Sequence, residues 1–218
     1  MRQAGVRARR VALLVDGTAV YFRSREGRST DRLDYEALNR VLLAEADTKA
    51  FDTALFFTTY DAQNEGQAKF LTFLRTRLEW EVEPRPVWEA DPIPERARWE
   101  RNERNEFIRF DAAIAYALGR LIEQRDKVLI VTDSFALEHP MMVAAQHKTA
   151  CVELAFFGRQ LDPRWLPIVT NGNSRDGNGN SKDGKSKIEF LDLDKHSEAL
   201  FGRELVPSTR STTGLARL

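Results

Sequence analysis

Two aspartates in this sequence directly follow runs of apolar residues. Asp16 ends the run VALLVD, and Asp133 ends the run VLIVTD. If each run is a buried parallel strand, both carboxylates lie beyond the carboxyl ends of strands, where open α/β sheets bind their ligands. Two carboxylates held close together there repel each other unless a cation or a proton lies between them. Carboxylate oxygens are the ligands that suit Mg²⁺ or Mn²⁺, so the spacing indicates an acidic metal site.

A third aspartate, Asp111, lies in the segment FIRFDAAIAYALGRL, whose apolar residues have helical spacing. If the helix runs through Asp111, its carboxylate faces the core and needs a metal or another partner, because an unpaired buried charge is costly. If the helix begins there, Asp111 is an ordinary N-cap. The same alternative applies to Asp16 and Asp133, each of which could cap a helix that follows its strand. One shared acidic site would account for all three aspartates and is the working hypothesis.

Hydrophobic patterning predicts the elements that must position these aspartates. Four runs are apolar almost throughout, which is typical of parallel strands covered on both faces. The predicted strands are Val11–Val15, Ala54–Thr59, Val128–Thr132 and Cys151–Phe157, a proline-containing edge strand at Glu81–Val87, and a last strand at Ile188–Leu193. The predicted helices are Leu33–Ala46, Gln67–Leu78 and Phe107–Ile122. Strands that alternate with helices predict a three-layer α/β/α sandwich with a mostly parallel central sheet, as in Rossmann-like folds.

Composition and segment character set the class of protein. The chain has 218 residues, of which 42% are hydrophobic and 30% charged, enough for one domain with a full core. The formal net charge of zero excludes a global basic field. Because there is one cysteine and no run long enough for a signal peptide or a membrane span, we expect a cytoplasmic protein without a membrane partner. We expect a basic arm at 1–9, a single domain at 10–203 with an Arg-rich insertion at 91–104 and a flexible loop at 171–187, and a loose tail at 204–218.

The layout resembles the NYN domain family, a branch of the PIN-like ribonuclease superfamily. The matching segments are VALLVDGTAVYF, RFDAAIAYALGRL, DKVLIVTDSFALEHPM and IEFLDLD, which together span roughly residues 10 to 194. The resemblance implies a PIN-like fold and a metal-dependent endoribonuclease acting on single-stranded RNA. It also implies that Asp16, Asp111 and Asp133 are the catalytic residues and hold Mg²⁺ or Mn²⁺. The implied chemistry is hydrolysis of a phosphodiester bond by a metal-activated water.

Two positions depart from the pattern of that family. Ala19 stands where the family usually has asparagine, and no second acid directly follows Asp133. Glu138 could substitute as a metal ligand if the turn brings it round, and Ser134 could hold a water molecule at the metal. These departures leave open a catalytically reduced NYN-fold module that binds RNA or another protein. With either function the chain could form a homo-oligomer. A metal-dependent phosphatase acting on small phosphate esters is a third hypothesis.

An Arg-rich segment just before Asp111 is the predicted RNA-binding region. Arginines neutralise phosphates, and an aromatic ring offers a base a face on which to stack. The predicted contacts are Arg96, Arg98, Trp99, Arg101, Arg104 and Arg109. Glutamates alternate with these arginines, so a solvated helix with internal ion pairs is an equal alternative.

Overall fold

All strands in the described part of the chain belong to one parallel sheet. The computed structural model describes residues 9–25, 32–61, 63–86, 110–147, 151–171 and 188–202. Within these ranges the strands are β1 (Val11–Asp16), β2 (Thr53–Tyr60), β3 (Glu81–Pro86), β4 (Lys127–Val131), β5 (Cys151–Phe156), β6 (Val169–Asn171) and β7 (Ile188–Asp192). Their order in the sheet is β3-β2-β1-β4-β5-β7-β6, and every neighbouring pair is parallel. The predicted parallel sheet is therefore confirmed.

Helices connect these strands. They are α1 (Gly17–Arg23), α2 (Tyr35–Glu45), α3 (Glu65–Arg77), α4 (Asp111–Leu121), α5 (Glu138–Ala145) and α6 (Ser197–Phe201). Side chains cap the start of α2 and of α3: Asp34 accepts from the N–H of Ala37, and Asn64 accepts from that of Gln67, both at 3.0 Å. Such caps fix where a helix begins, and here they hold α2 and α3 in register between their strands.

The path of the chain through the sheet produces three layers. From β1 the chain moves to β2 and β3 on one side, and it then returns past β1 to β4 and β5 on the other side. Because crossovers between parallel strands are right-handed, the helices of the two halves cover opposite faces of the sheet. In agreement, α4 packs against α5, whereas α6, which follows the last strand and is not a crossover, packs against α2. The result is a three-layer α/β/α sandwich, as the sequence predicts.

The core lies on both faces of the central strands. All six residues of β1 are buried, as are all five of β4. A buried ion pair between Lys127 and Glu153 links β4 to β5. Burial raises the pKa of Glu153, and the nearby ammonium of Lys127 opposes that rise. Strands that are covered on both faces explain why these runs are apolar throughout instead of alternating.

The predicted element boundaries agree with the structure to within one or two residues for most elements. Strand β3 lies at the edge of the sheet, as its two prolines predict. Helix α4 begins at Asp111, whereas the predicted helix begins at Phe107. Of the residues between these two starts, Phe110 is not helical, and 107–109 lie outside the described residues. Four short elements were not predicted, namely α1, α5, α6 and β6.

The remaining organisational predictions fall largely on residues that the structure does not describe. The Arg-rich insertion at 91–104 and the tail at 204–218 lie outside the described ranges, as do residues 1–8 of the basic arm. Of the predicted loop at 171–187, Asn171 instead ends β6, and the rest lies outside the described residues. No helix in the described part of the chain is both long and apolar enough to cross a membrane.

Candidate acidic site at the strand ends

The carboxyl ends of β1 and β4 meet at the point where the order of strands reverses. The connection from β1 leads to β2 on one side, and the connection from the adjacent β4 leads to β5 on the other side, so the two connections leave in opposite directions. Val15 pairs with Val131, Asp16 is the last residue of β1, and Asp133 lies two residues beyond the end of β4. Neighbouring strands are about 4.8 Å apart. The two aspartates thus lie at the topological switch point, where open α/β sheets bind ligands.

Asp16 caps the helix that follows it. The side chain is buried, and its Oδ1 accepts a hydrogen bond from the backbone N–H of Ala19 at 3.0 Å. The N-cap alternative is therefore confirmed for Asp16. Gly17 makes the tight turn into α1 possible, since a Cβ at that position would lie 2.2 Å from the ring of Phe56. A carboxylate has two oxygens, so a cap at Oδ1 and a ligand at the site are compatible.

Asp133 is held by an arginine. Its Oδ2 accepts a hydrogen bond from Nε of Arg23 at 2.7 Å, and only 17% of the Asp133 side chain is exposed. The residue is not an N-cap, because the short 3-10 helix that follows begins at Phe135 with Ser134 in the cap position. The cation expected beside the strand-end carboxylates is thus supplied, at Asp133, by the protein itself.

Arg23 is the residue of this site that sequence reasoning missed. It is the last residue of α1, and its backbone carbonyl accepts a hydrogen bond from Nε2 of Gln160 at 2.8 Å. Gln160 belongs to the turn after β5, so Arg23 joins the carboxyl ends of β1, β4 and β5. The sequence carries no local signal for the contact, because α1 has no amphipathic period and Arg23 and Asp133 are 110 positions apart.

Asp111 lies at the same edge of the sheet. It is the first residue of α4, and the preceding Phe110, which occupies the cap position, makes no side-chain cap hydrogen bond. The helix therefore begins at Asp111, as in the second alternative, but Asp111 is the first residue of the helix and not its N-cap. Oδ1 of Asp111 is buried. The ring of Phe110 lies 6.2 Å from that of Phe57, which pairs with Asp16 in the sheet.

Ser134 and Glu138, the two further residues predicted to assist metal binding, follow Asp133 in the chain. Ser134 is buried, and its backbone N–H donates to Oγ1 of Thr132 at 3.1 Å. Phe135 packs edge-on against the buried ring of Trp165, with 5.3 Å between ring centroids. Glu138 is the partly buried first residue of α5. Packing by Phe135 thus fixes the path between the two candidates, and their part in metal binding stays a prediction.

In the described ranges, no group of three His, Cys, Asp or Glu side chains is arranged so that it could hold a metal ion. Asp16, Asp111 and Asp133 share one edge of the sheet, but their shared metal site stays a prediction. Further aspartates at this edge, Asp192 and Asp194, serve the backbone: they accept from the N–H groups of Gly158 and Arg159, each at 2.9 Å. The oxygen donors of the three candidates fit Mg²⁺ or Mn²⁺ in chemical type.

An open depression of about 650 Å³ lies at the amino ends of the strands, opposite the candidate aspartates. It is lined by residues just before β1 and β2, including Arg9 and Asp52. The carboxylate of Asp52 accepts from the N–H of Val11 at 2.8 Å, which is a structural role. Since functional side chains of parallel sheets collect at the carboxyl ends, we regard the strand-end aspartates as the stronger candidate.

The predicted RNA-binding residues of the Arg-rich segment, from Arg96 to Arg109, lie outside the described residues. Their part in RNA binding therefore stays a prediction.

Comparison with known proteins gives the fold and no function. No family model matches the chain, and no curated protein matches it. A solved structure, that of a protein of unknown function from Vibrio parahaemolyticus, is similar with a TM-score of 0.62 at 16% sequence identity. The similarity covers 92% of this chain and 99% of the other. At this identity the similarity establishes a common fold only.

Proposed function

We propose that the protein is a metal-dependent nuclease that hydrolyses phosphodiester bonds of single-stranded RNA. The observation that carries the proposal is the position of Asp16 and Asp133 beyond adjacent central strands, at the switch point of the sheet. A ligand that binds there meets two carboxylates, which favour a divalent cation and, through it, a phosphate. The resemblance of the sequence to the NYN domain supports the same reaction class.

Each residue has a distinct part in the proposed site. Asp16, Asp111 and Asp133 would hold Mg²⁺ or Mn²⁺, which when bound activates water and offsets negative charge on the phosphate. Arg23 neutralises Asp133 through their ion pair. A metal at Asp133 must therefore compete with Arg23, and the released guanidinium would be available to a phosphate of the RNA.

A second candidate is a binding module that uses the same fold without catalysis. The specific observation that favours it is the engagement of both strand-end carboxylates inside the protein, Asp16 by the N–H of Ala19 and Asp133 by Arg23. A carboxylate neutralised in this way stabilises a turn without any metal. The two candidates differ in whether the charge on Asp133 matters for chemistry or only for structure.

Cleavage of a labelled single-stranded RNA, with Mn²⁺, with Mg²⁺ and with EDTA, separates these candidates. For the nuclease we expect cleavage with either metal, none with EDTA, and loss of at least about a hundredfold in rate for Asp133→Asn. The matched control is Asp162→Asn, because Asp162 also pairs with an arginine, Arg164, but on the exposed surface. The control should cleave like the unmodified protein.

Binding of the same RNA completes the test. The nuclease requires that Asp133→Asn keep its affinity for RNA while losing cleavage. An unmodified protein that binds RNA but does not cleave it with either metal would replace the nuclease by the binding module. A protein that neither binds nor cleaves RNA would remove the nuclease and the RNA-binding module.

A further inference from the structure

Two neighbouring aromatic side chains project from the end of α1 into solvent. Tyr21 is 43% exposed and Phe22 39% exposed, although the four preceding residues of the helix are all buried. Their rings meet edge-to-face with centroids 5.2 Å apart. Part of the apolar surface of each ring therefore lies in water.

Positive charge surrounds these rings. The guanidinium of Arg25 lies over the ring of Tyr21, 4.3 Å from its centroid, and Arg23 precedes it by two residues. An aromatic face combined with arginine matches a single-stranded polyanion whose bases are unpaired, since the arginines meet phosphates and the rings meet base faces. A purely apolar partner would gain nothing from the guanidinium of Arg25, while that of Arg23 is already paired with Asp133.

The rings lie near the acidic edge, which is the end of the sheet that carries Asp16, Asp111 and Asp133. Tyr21 and Phe22 follow the N-cap Asp16 by five and six residues, which is about 8 to 9 Å along a helix axis. Arg23, the next residue, contacts Asp133. A strand of RNA with a base stacked on these rings would therefore pass the strand-end carboxylates within one or two nucleotides.

We propose that Tyr21 and Phe22, with Arg25, form a stacking surface for unpaired bases of single-stranded RNA beside the acidic edge. The proposal rests on the proposed function for the identity of its ligand, but it requires binding and not cleavage. It gives the described part of the chain an RNA contact that is independent of the Arg-rich segment.

Fluorescence anisotropy with a labelled single-stranded 12-nucleotide RNA tests this surface. We expect Tyr21→Ala and Phe22→Ala each to weaken binding about tenfold, because a base loses one stacking partner in each variant. Tyr21→Phe keeps the ring and should bind like the unmodified protein. Tyr21→Leu keeps apolar surface without a planar face and should bind like Tyr21→Ala.

Tyr116 provides the matched control. It is 69% exposed in the middle of α4, and the guanidinium of Arg120 lies 5.8 Å from the centroid of its ring, so it has the same chemistry elsewhere. Tyr116→Ala should leave the affinity unchanged. A second probe is an abasic oligonucleotide of equal length, which keeps the phosphates and removes the bases. Tyr21→Ala and the unmodified protein should bind this probe equally.

The possible results distinguish this surface from the proposed function. RNA binding that is unaffected by Tyr21→Ala and Phe22→Ala, whether or not the RNA is cleaved, would overturn the stacking surface alone. Equal losses in the Tyr21 and Tyr116 variants would also overturn it, since any exposed ring would then suffice. An unmodified protein without affinity for RNA would overturn the stacking surface together with the proposed function.

Discussion

Asp16 has two separable properties, its hydrogen-bonding oxygen and its charge. The oxygen caps α1 through the N–H of Ala19, and the charge belongs to the proposed metal site. Asn caps helices about as well as Asp, so Asp16→Asn should leave the free energy of unfolding nearly unchanged, whereas Asp16→Ala should lower it by about 1 kcal/mol. Urea unfolding at neutral pH measures both changes. Equal losses in the two variants would show that charge, and not capping, is what stabilises the turn.

Arg23 should act as a competitor of metal at Asp133. A partly exposed ion pair contributes about 1 kcal/mol or less, so Arg23→Gln should raise the affinity for Mn²⁺ by roughly fivefold. Isothermal titration calorimetry measures that affinity. Arg77→Gln is the control, because Arg77 pairs with Glu36 at 3.6 Å on the exposed surface, away from the strand ends. Unchanged affinity after Arg23→Gln would mean that the ion does not use Asp133.

Cys151 should make stability depend on pH in the alkaline range. Burial, assisted by the nearby carboxylate of Glu189, raises the pKa of the Cys151 thiol from 9.0 to about 12. The folded protein thus keeps a proton that the unfolded chain loses, so the contribution is complete below pH 9 and disappears as the pH approaches 12. Between pH 7.5 and pH 10 the stability of the unmodified protein relative to Cys151→Ala should fall by about 1 kcal/mol. Urea unfolding at both pH values tests this, and a pH-independent difference would contradict it.

At the scale of elements, the turn from β1 into α1 depends on a glycine. A Cβ on Gly17 would overlap the ring of Phe56, which cannot easily move because it packs against Tyr35, Phe70 and Trp80. Gly17→Ala should therefore lower the free energy of unfolding by about 1 to 3 kcal/mol.

Gly119 is the matched control for this glycine. It lies in the exposed part of α4 with no atom within 4 Å of an added Cβ. Gly119→Ala should stabilise the helix by about 0.5 to 1 kcal/mol, because Ala has the higher helix propensity. Thermal or urea unfolding of the two variants should thus give changes of opposite sign. A loss of stability in both would indicate that conformational freedom, and not the ring of Phe56, decides at Gly17.

The longer elements could be predicted from the sequence, and the shorter ones could not. Strands β1 and β4 are buried on both faces and therefore appear as uninterrupted apolar runs. Helix α1 has seven residues, of which the first four are buried and the next two are exposed aromatics, so no amphipathic period develops. Strand β6 has three residues, too few for any alternation to be visible.

At the scale of the whole molecule, the proposed metal site joins segments from both halves of the chain. Asp16 belongs to the first half of the chain, and Asp111 and Asp133 belong to the second. Metal that binds only the folded protein at a hundred times its dissociation constant stabilises it by about 2.7 kcal/mol. For a chain of this size the melting temperature should rise by roughly 5 to 10 °C. Differential scanning calorimetry with Mn²⁺ and with Ca²⁺ or EDTA measures the rise, and an equal rise in Asp133→Asn would place the ion elsewhere.

The candidate site could be predicted only in part. That Asp16 and Asp133 lie at one edge follows from two apolar runs and the geometry of parallel sheets. The pairing of Asp133 with Arg23 does not follow, because residues 110 positions apart in the sequence meet only through the packing of α1 across the ends of the strands. The role of Asp111 was equally inaccessible, since one residue in the start of α4 decides between a cap and an internal position.

The central place of β1 has a consequence for the synthesis of the protein on the ribosome. Strand β1 is translated long before β4, whose first residue, Lys127, pairs with Val11 at a separation of 116 positions. During that interval one side of a largely apolar strand has no neighbour, which is the kind of edge that pairs with other chains. The nascent chain is therefore open to such pairing until β4 emerges, and the acidic edge is assembled only at that moment.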